Sequence, residues 1–121
     1  MPPERDPRGF LPLTPAVFHV LLALAGGERH GYGIIQDVAA ATGGAVTLRT
    51  GTLYTILKRL LDESLIIESN RRPDAEDDDE RRRYYGLTPF GRRVAQAEGQ
   101  RLEQVVDLAR ARRVLPKASH R

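Results

Sequence analysis

Hydroxyl and basic side chains recur along one face of the stretch 50–62. Thr52 and Thr55 lie near its start, and Lys58 and Arg59 follow about one helical turn later. Short hydrogen-bonding groups backed by cations can contact base edges and phosphates when a helix enters the DNA major groove. An ordinary amphipathic surface helix carries similar residues, so this stretch alone does not decide between the two interpretations.

The same stretch has a second face whose spacing predicts burial. Its large aliphatic residues fall at i, i+3, i+4, i+7 and i+8, the pattern of a helix packed on a core. These residues are Leu53, Ile56, Leu57, Leu60 and Leu61. We expect one helix here, with the hydroxyl of Thr50 capping its first turn.

Composition excludes several classes of function. The 121 residues suffice for one modest core, and they include no cysteine for a disulfide, a zinc–thiolate site or a thiol nucleophile. His19, His30 and His120 show no serine or carboxylate partner in a catalytic order. No apolar run approaches the roughly 18 residues of a membrane span, and no signal peptide is visible. We expect a soluble, cytoplasmic protein that has no enzymatic activity, metal or cofactor.

Charge is unevenly distributed along the chain. The net charge is +3, but residues 74–80 hold six of the sixteen acidic residues, so the remainder is clearly basic. A basic body favours an acidic partner such as DNA. Arginines flank the acidic run at positions Arg71, Arg72, Arg81, Arg82 and Arg83. We expect these arginines to bind phosphates while the acidic tip points to solvent; a solvated loop without a role is the alternative.

Helix and strand signals follow one another in a recognisable order. Two Thr-Pro pairs predict helix starts, and two Gly-Gly pairs predict helix ends. The expected elements are an irregular arm at 1–13, helices at about 15–25, 31–42, 51–63 and 89–113, strands at 65–69 and 83–87, and a connection at 45–49 that could hold a single β-bridge. The order predicts a mainly α fold with a small β-hairpin (α+β), a winged helix-turn-helix. Its third helix would enter the major groove, and its hairpin would lie along the DNA backbone.

Two apolar stripes exceed what one small core needs. The first helix carries one stripe through Phe18, Leu21, Leu22 and Ala25, and a second through Val17, Val20 and Leu24 that could contact a partner chain. The last helix has a narrow apolar stripe that is typical of pairing with a second copy, although it could instead fold back on its own domain. The expected dimer-interface residues are Val17, Val20, Leu24, Val94, Leu102, Val105, Val106 and Ala109.

Three short motifs carry a family resemblance. They are HGYGII at 30–35, GTLY at 51–54 followed by LKRL at 57–60, and RYYGLT at 83–88 with Gly91 and Arg92 close behind. In this order and spacing they resemble the PadR family of transcriptional regulators, over about residues 16–93. The resemblance implies a winged helix, a homodimer built through the C-terminal helix, and ligand-responsive repression of a nearby promoter. It also assigns Tyr54 to DNA contact, although a half-buried tyrosine fits the sequence equally well.

Some positions depart from the pattern of that family. Thr55 stands where proline is common, and Ser64 stands where glycine often ends the recognition helix. A residue other than glycine costs about 1 kcal/mol there if its backbone is left-handed. The last helix has no aromatic residue after Phe90, and the chain has no tryptophan. We therefore do not expect the last helix to form a site where an aromatic drug stacks on aromatic side chains.

The sequence as a whole predicts a DNA-binding transcriptional regulator, a homodimeric repressor of a pseudo-palindromic operator on double-stranded DNA, with a small-molecule effector of unknown kind. The expected segments are a flexible N-terminal arm (1–13), a winged-helix domain (14–88) with an acidic wing loop (70–82), a C-terminal dimerisation helix (89–115) and a tail (116–121). The alternatives are a winged-helix module for protein–protein assembly and a small dimeric ligand-binding protein without a DNA function. The expected DNA contacts are Tyr32, Arg49, Thr50, Thr52, Tyr54, Thr55, Lys58, Arg59, Arg71, Arg72, Arg81, Arg82 and Arg83.

Overall fold

Four α-helices and a small antiparallel sheet make up residues 5–69 and 83–117, which a computed structural model describes. The elements are a 3-10 helix (Pro7–Phe10), α1 (Pro15–Ala25), β1 (Arg29–His30), α2 (Gly31–Ala41), α3 (Thr50–Asp62), β2 (Ile66–Ser69), β3 (Tyr84–Leu87) and α4 (Pro89–Ala111). Three helices, a pair of strands and a long helix occur in the expected order. The predicted winged helix-turn-helix fold is therefore confirmed.

The sheet has the strand order β1–β3–β2, with both pairings antiparallel. In β2, Ile66 lies opposite Leu87 of β3, so the two strands form the predicted hairpin. The prediction of a β-bridge at 45–49 is wrong, because the third strand is β1, where Arg29 lies opposite Tyr85. The Arg29 side chain fixes this strand, since it donates a 2.9 Å hydrogen bond to the carbonyl of Ala23.

The core takes up residues from both apolar stripes of α1. Val17, Val20 and Leu24, which we expected at a dimer interface, are buried within the chain's own core, and so is Val94 of α4. On the stripe expected to be the core, Leu21 is fully buried as predicted, whereas Leu22 is 44% exposed. The reason is that α2, α4 and β3 pack against α1 and together cover a broad side of it, which includes the whole second stripe. These four residues are therefore not available to a partner chain.

Helix starts follow the sequence signals at α1 and α4 but not at α3. The hydroxyls of Thr14 and Thr88 accept hydrogen bonds from the amides of Val17 (3.2 Å) and Gly91 (2.9 Å), as the Thr-Pro pairs predict. At α3 the cap is Arg49, which makes no side-chain capping bond. Thr50 is the first helical residue, so the predicted capping role of its hydroxyl is wrong.

The N-terminal arm is more ordered in its described part than the sequence indicates. We expected no regular structure over 1–13, but Pro7–Phe10 forms a 3-10 helix whose first turn is capped by the Asp6 carboxylate. The Phe10 ring packs edge-on against Phe90 with 5.6 Å between ring centres. The Leu13 amide donates a 2.8 Å hydrogen bond to Glu98. Contacts with α4 therefore give this segment a structure that its own sequence pattern does not show.

Candidate nucleic-acid interface

Helix α3 presents the two faces that its sequence predicts. Leu53, Leu57 and Leu60 are almost fully buried, and they anchor the helix on the core. Thr52 and Lys58 on the opposite side are exposed. The buried leucines hold the helix in one orientation, so the polar face is presented outward as a preformed surface.

The polar groups of α3 differ in the hydrogen bonds and ion pairs that they already make within the chain. The Thr55 hydroxyl donates a 3.0 Å hydrogen bond to the Gly51 carbonyl, so it remains free chiefly as an acceptor. Lys58 pairs with Asp62 at 3.2 Å, and Arg59 lies 3.7 Å from a carboxylate oxygen four residues later. Exposed pairs of this kind contribute little stability. Both cations can therefore exchange their carboxylate partner for a phosphate at low energetic cost.

A tyrosine links α3 to the start of α2. A methyl group at Gly31 would lie only 2.9 Å from the Tyr54 hydroxyl, so the absence of a side chain at Gly31 lets the phenol lie against the first turn of α2. Tyr54 is 50% exposed and Tyr32, one residue after Gly31, is 63% exposed. The outward surface thus continues from α3 onto the first turn of α2, and it carries two phenol hydroxyls.

The hairpin contributes a cation at the base of the wing. Arg83 is exposed and pairs with Glu68 across the strands at 3.2 Å. Two residues further along the chain, Tyr85 is buried, and this burial raises the pKa of its phenol. Tyr85 therefore stays neutral and belongs to the core, while Arg83 faces solvent. Arg71, Arg72, Arg81, Arg82 and the acidic run of the wing loop lie outside the described residues.

Among the predicted DNA contacts that are described, all are exposed, and they come from α2, α3 and the hairpin. These residues are Tyr32, Arg49, Thr50, Thr52, Tyr54, Thr55, Lys58, Arg59 and Arg83. Hydroxyls near a helix start, with cations beside them, form a surface of hydrogen-bonding groups suited to the edges of base pairs and to phosphates. Residues 5–69 and 83–117 hold no group of three potential metal ligands. Within the same ranges, no helix has the length and apolar character that crossing a bilayer requires.

A second surface lies on the C-terminal half of α4, and it is apolar. Leu102 and Val105, both predicted for a dimer interface, are 36% and 49% exposed. Sequence reasoning missed Leu108, which is 51% exposed and lies three residues beyond Val105 on the same side. On α1, Phe18 is half-buried and Leu22 is exposed, both on the stripe expected to be the core. The i+3 spacing from Val105 was the signal that could have identified Leu108.

Comparison with known proteins agrees with this geometry. A family model described as the transcriptional regulator PadR-like family matches residues 20–97. Among proteins of curated function, none matches the sequence at a significant level.

Solved structures share the fold at low sequence identity. A transcriptional regulator from Clostridium thermocellum is 22% identical with a TM-score of 0.66, and the match covers 86% of this chain and 90% of that one. A PadR family transcription regulator from Clostridium difficile is 23% identical with a TM-score of 0.65, over 79% of this chain and 95% of that one. Bacillus subtilis PadR in complex with operator DNA is 23% identical with a TM-score of 0.56, over 67% of this chain and 45% of that one. Since the family model spans well over half of the sequence, the chain belongs to the PadR-like family of DNA-binding transcriptional regulators.

Proposed function

We propose that this regulator is a homodimeric repressor that inserts α3 of each protomer into the major groove of a pseudo-palindromic operator. The observation that carries the proposal is the outward face of α3, where Thr52, Thr55 and Lys58 are exposed on a helix whose other side is locked into the core. The Bacillus subtilis relative was solved with operator DNA, which supports the same mode of binding here. Thr52 and Thr55 are proposed to contact base edges.

The apolar surface on α4 supports the dimer. Leu102, Val105 and Leu108 expose large side chains along one side of the helix, and Leu22 of α1 is exposed as well. Burying such a stripe against a second copy removes apolar area from water at about 25 cal/mol per Å². A two-fold pair would present its α3 helices to half-sites about one DNA turn apart, roughly 34 Å. The symmetry of the protein would then require symmetry in the operator.

Phosphate contacts are proposed to come from the cations and phenols around α3. Arg49, Arg59 and Arg83 are exposed on this side, and the hydroxyls of Tyr32 and Tyr54 can reach phosphates near the start of α2. The hairpin arginines Arg71, Arg72, Arg81 and Arg82 are proposed to add further contacts. If a dimer neutralises about 6–8 phosphates, the logarithm of its affinity should fall with the logarithm of salt concentration at a slope of about −5 to −7.

Regulation is proposed to act on the distance between the two α3 helices. A small-molecule effector bound between the protomers would tilt the α4 helices and move the recognition helices out of register with the half-sites. The cavity enclosed between the arm, α1 and α3 has a volume of about 50 Å³, far below the roughly 300–1,000 Å³ of a typical ligand pocket. The interface between protomers is therefore the better place for an effector than this cavity.

A charge-matched pair of lysine variants tests DNA binding through α3. Operator fragments are first selected from random DNA and from the region upstream of the gene, and then binding is measured by fluorescence anisotropy. Lys58→Ala should weaken binding about tenfold, whereas Lys117→Ala, in the exposed segment after α4, should change it less than twofold. Equal losses for the two variants would show a non-specific charge effect and contradict binding through α3. A loss at one base position only would make Lys58 a base reader instead of a phosphate contact.

A further inference from the structure

The end of α3 is joined to the start of α4 through backbone groups and not only through side-chain packing. Three consecutive carbonyl groups, those of Glu63, Ser64 and Leu65, follow the last turn of α3. The Thr88 hydroxyl lies 2.7 Å from the Ser64 oxygen and 3.0 Å from the Leu65 oxygen, and the Thr88 amide donates a 3.1 Å hydrogen bond to Leu65. Arg5 donates a 2.6 Å hydrogen bond to the Glu63 carbonyl. All three carbonyl groups are thus held by groups outside α3.

Residues 63–65 and 88–91 together form what we call the α3–α4 joint, and their backbones approach each other closely. A Cβ atom at Gly91 would overlap the carbonyl oxygen of Leu65, so the first turn of α4 lies directly against the chain that leaves α3. The same Thr88 hydroxyl accepts a 2.9 Å hydrogen bond from the Gly91 amide. The guanidinium of Arg5 stacks over the Phe90 ring at 4.3 Å and covers the junction from outside. One hydroxyl group therefore connects the cap of α4 to the turn that follows α3.

The turn itself has little freedom to adjust. Ser64 has a φ of 61°, and the amides of Ser64 and Leu65 donate to the carbonyls of Leu61 (3.0 Å) and Leu60 (2.9 Å). This is the Schellman arrangement, in which a left-handed residue ends the helix and satisfies its last carbonyl groups. The direction in which the chain leaves α3 is therefore fixed before α4 begins.

A small change of angle at this joint would have a large effect on DNA binding. Val105, on the exposed apolar side of α4, lies about 25 Å along the helix from Thr88 at a rise of 1.5 Å per residue. A tilt of about 8° at the joint would displace α4 by roughly 3.5 Å at Val105, about the rise of one base pair. A dimer held together at Val105 needs a stiff joint if its two α3 helices are to keep one spacing.

We propose that Thr88 and Gly91 are positioning residues, which fix the angle between α3 and α4 and thereby set the spacing between half-sites that the dimer accepts. This inference rests on the proposed function, since it presupposes a dimer on a two-part operator. Neither residue is among the proposed DNA contacts, since both lie where the wing meets α4. Their effect on DNA binding passes through the orientation of α3.

Variants at Thr88 distinguish a role in setting the angle between α3 and α4 from a role in folding. Thr88→Ser keeps the hydroxyl and serves as the matched control, while Thr88→Val keeps the shape and loses every hydrogen bond of the hydroxyl. Thr88→Asp keeps an acceptor for the Gly91 amide but has no proton to donate to Ser64 or Leu65. It tests the same joint if the valine variant does not fold.

The probes are duplexes that carry the selected operator with its half-sites at the native spacing or moved by one or two base pairs, and a duplex with a single half-site. The wild-type protein and Thr88→Ser should lose at least tenfold in affinity for each base pair moved. Thr88→Val and Thr88→Asp should lose less than threefold, while their affinity for the single half-site changes less than twofold. A merely structural role would lower both affinities together and would leave the spacing profile unchanged.

Two outcomes overturn the inference, and they differ from failure of the proposed function. If the hydroxyl-deficient variants keep the wild-type spacing profile, or lose single-site affinity as much as operator affinity, the joint does not set the spacing. If the wild-type protein itself shows no dependence on spacing, the two-part operator is wrong, and the role of the joint is refuted with it.

Discussion

The two halves of α4 have similar sequence patterns but different surroundings. In the first half, Gly91, Val94 and Glu98 are buried against the winged-helix domain and the N-terminal arm. In the second half, Leu102 and Val105 continue the same side of the helix but are exposed. The comparison shows that the domain covers only half of the stripe and leaves the other half uncovered.

The change between the halves occurs at a buried carboxylate. Glu98 lies on the line of Val94 and Leu102 and is only 1% exposed. Its carboxylate accepts hydrogen bonds from the guanidinium of Arg101 and from the amide of Leu13. Beyond this group the arm no longer covers α4. Glu98 therefore marks where the chain's own core ends and where the proposed interface begins.

The largest effect on stability is expected when glycine is replaced by alanine in the buried half of α4, and the same change in the exposed half is the comparison. Gly91→Ala should lower the free energy of unfolding by about 3 kcal/mol or more, since its Cβ would overlap the Leu65 carbonyl oxygen and backbone cannot easily move away. Gly99→Ala, eight residues later, meets no atom within 4 Å and should raise the same quantity by about 1 kcal/mol through helix propensity. Urea denaturation followed by circular dichroism measures both. Similar effects at the two glycines would contradict the different packing of the halves.

The second-largest effect is expected on dimer formation, from a substitution in the exposed half of α4. Val105→Asp should raise the dissociation constant of the proposed dimer at least about 100-fold, because it places a carboxylate in an apolar contact on both protomers. Sedimentation velocity should then report a single chain of 13.5 kDa whose circular dichroism spectrum is still native. The melting temperature of the wild-type protein should rise with protein concentration, and that of the variant should not. Gln104→Asp, exposed one residue earlier, is the control and should remain dimeric.

A dimer that survives Val105→Asp would mean that the apolar side of α4 is not the contact surface. The dimer would then have to use other groups, such as the exposed Leu22 of α1.

A smaller effect is expected at the boundary between the halves, and it depends on pH. The Arg101 guanidinium, hydrogen-bonded to Glu98, holds the pKa of that carboxyl below its ordinary value of 4.5, against the opposite effect of burial. A carboxyl with a lowered folded-state pKa stabilises the fold above pH 4.5 and loses this contribution as pH falls through the folded-state value. Glu98→Gln should therefore cost about 1–3 kcal/mol at pH 7. The difference from wild type should shrink below pH 4.5.

The measurement is urea denaturation at a series of pH values, with Glu103→Gln, an exposed residue of the same helix, as the control. The pKa of Asp6 is also lowered, by its hydrogen bonds with Arg8, but Asp6 is unchanged in every variant and cancels in the comparison. A difference between wild type and Glu98→Gln that is constant with pH would show that packing, and not charge, is what Glu98 contributes.

The fold was predictable because its signals are local. The Thr-Pro helix starts, the leucine spacing of α3 and the two strand segments of the hairpin each depend on neighbours within a few residues, and the structure confirms them. The outward face of α3 was predictable for the same reason, since one buried face defines the other. The exposure of Thr52 and Lys58 follows from the burial of Leu53 and Leu57.

What the sequence could not show depends on contacts between distant segments. Val94 and Val105 occupy similar positions in the apolar pattern, and only the folded arm and sheet determine that one is buried and the other exposed. The pairing of β1 with β3 joins segments more than fifty residues apart, so a two-residue strand gave no signal of its own. The structure of the arm likewise depends on Phe90 and Glu98.

The smallest expected effect is at Ser64, where sequence and structure agree on the backbone. Its φ of 61° is the left-handed conformation expected at a position where glycine often ends the recognition helix. A residue other than glycine in the left-handed conformation costs about 1–2 kcal/mol. Substitution by glycine removes this strain, but glycine loses more chain entropy on folding, which costs about 0.5–1 kcal/mol. Ser64→Gly should therefore raise the free energy of unfolding by about 0.5–1 kcal/mol.

A second position with the same geometry offers a comparison for this change. Arg113 has a φ of 63° at the end of α4, where the amides of Arg113 and Val114 donate to the carbonyls of Arg110 (3.1 Å) and Ala109 (2.8 Å). Arg113→Gly relieves the same strain at a free helix end, so it should stabilise α4 locally with a smaller effect on global unfolding. Global unfolding is measured by urea denaturation, and local opening by amide hydrogen exchange of α4. If Ser64→Gly lowers stability where Arg113→Gly does not, the chain entropy lost by glycine at the end of α3 outweighs the relief of strain, and the prediction for Ser64 is wrong.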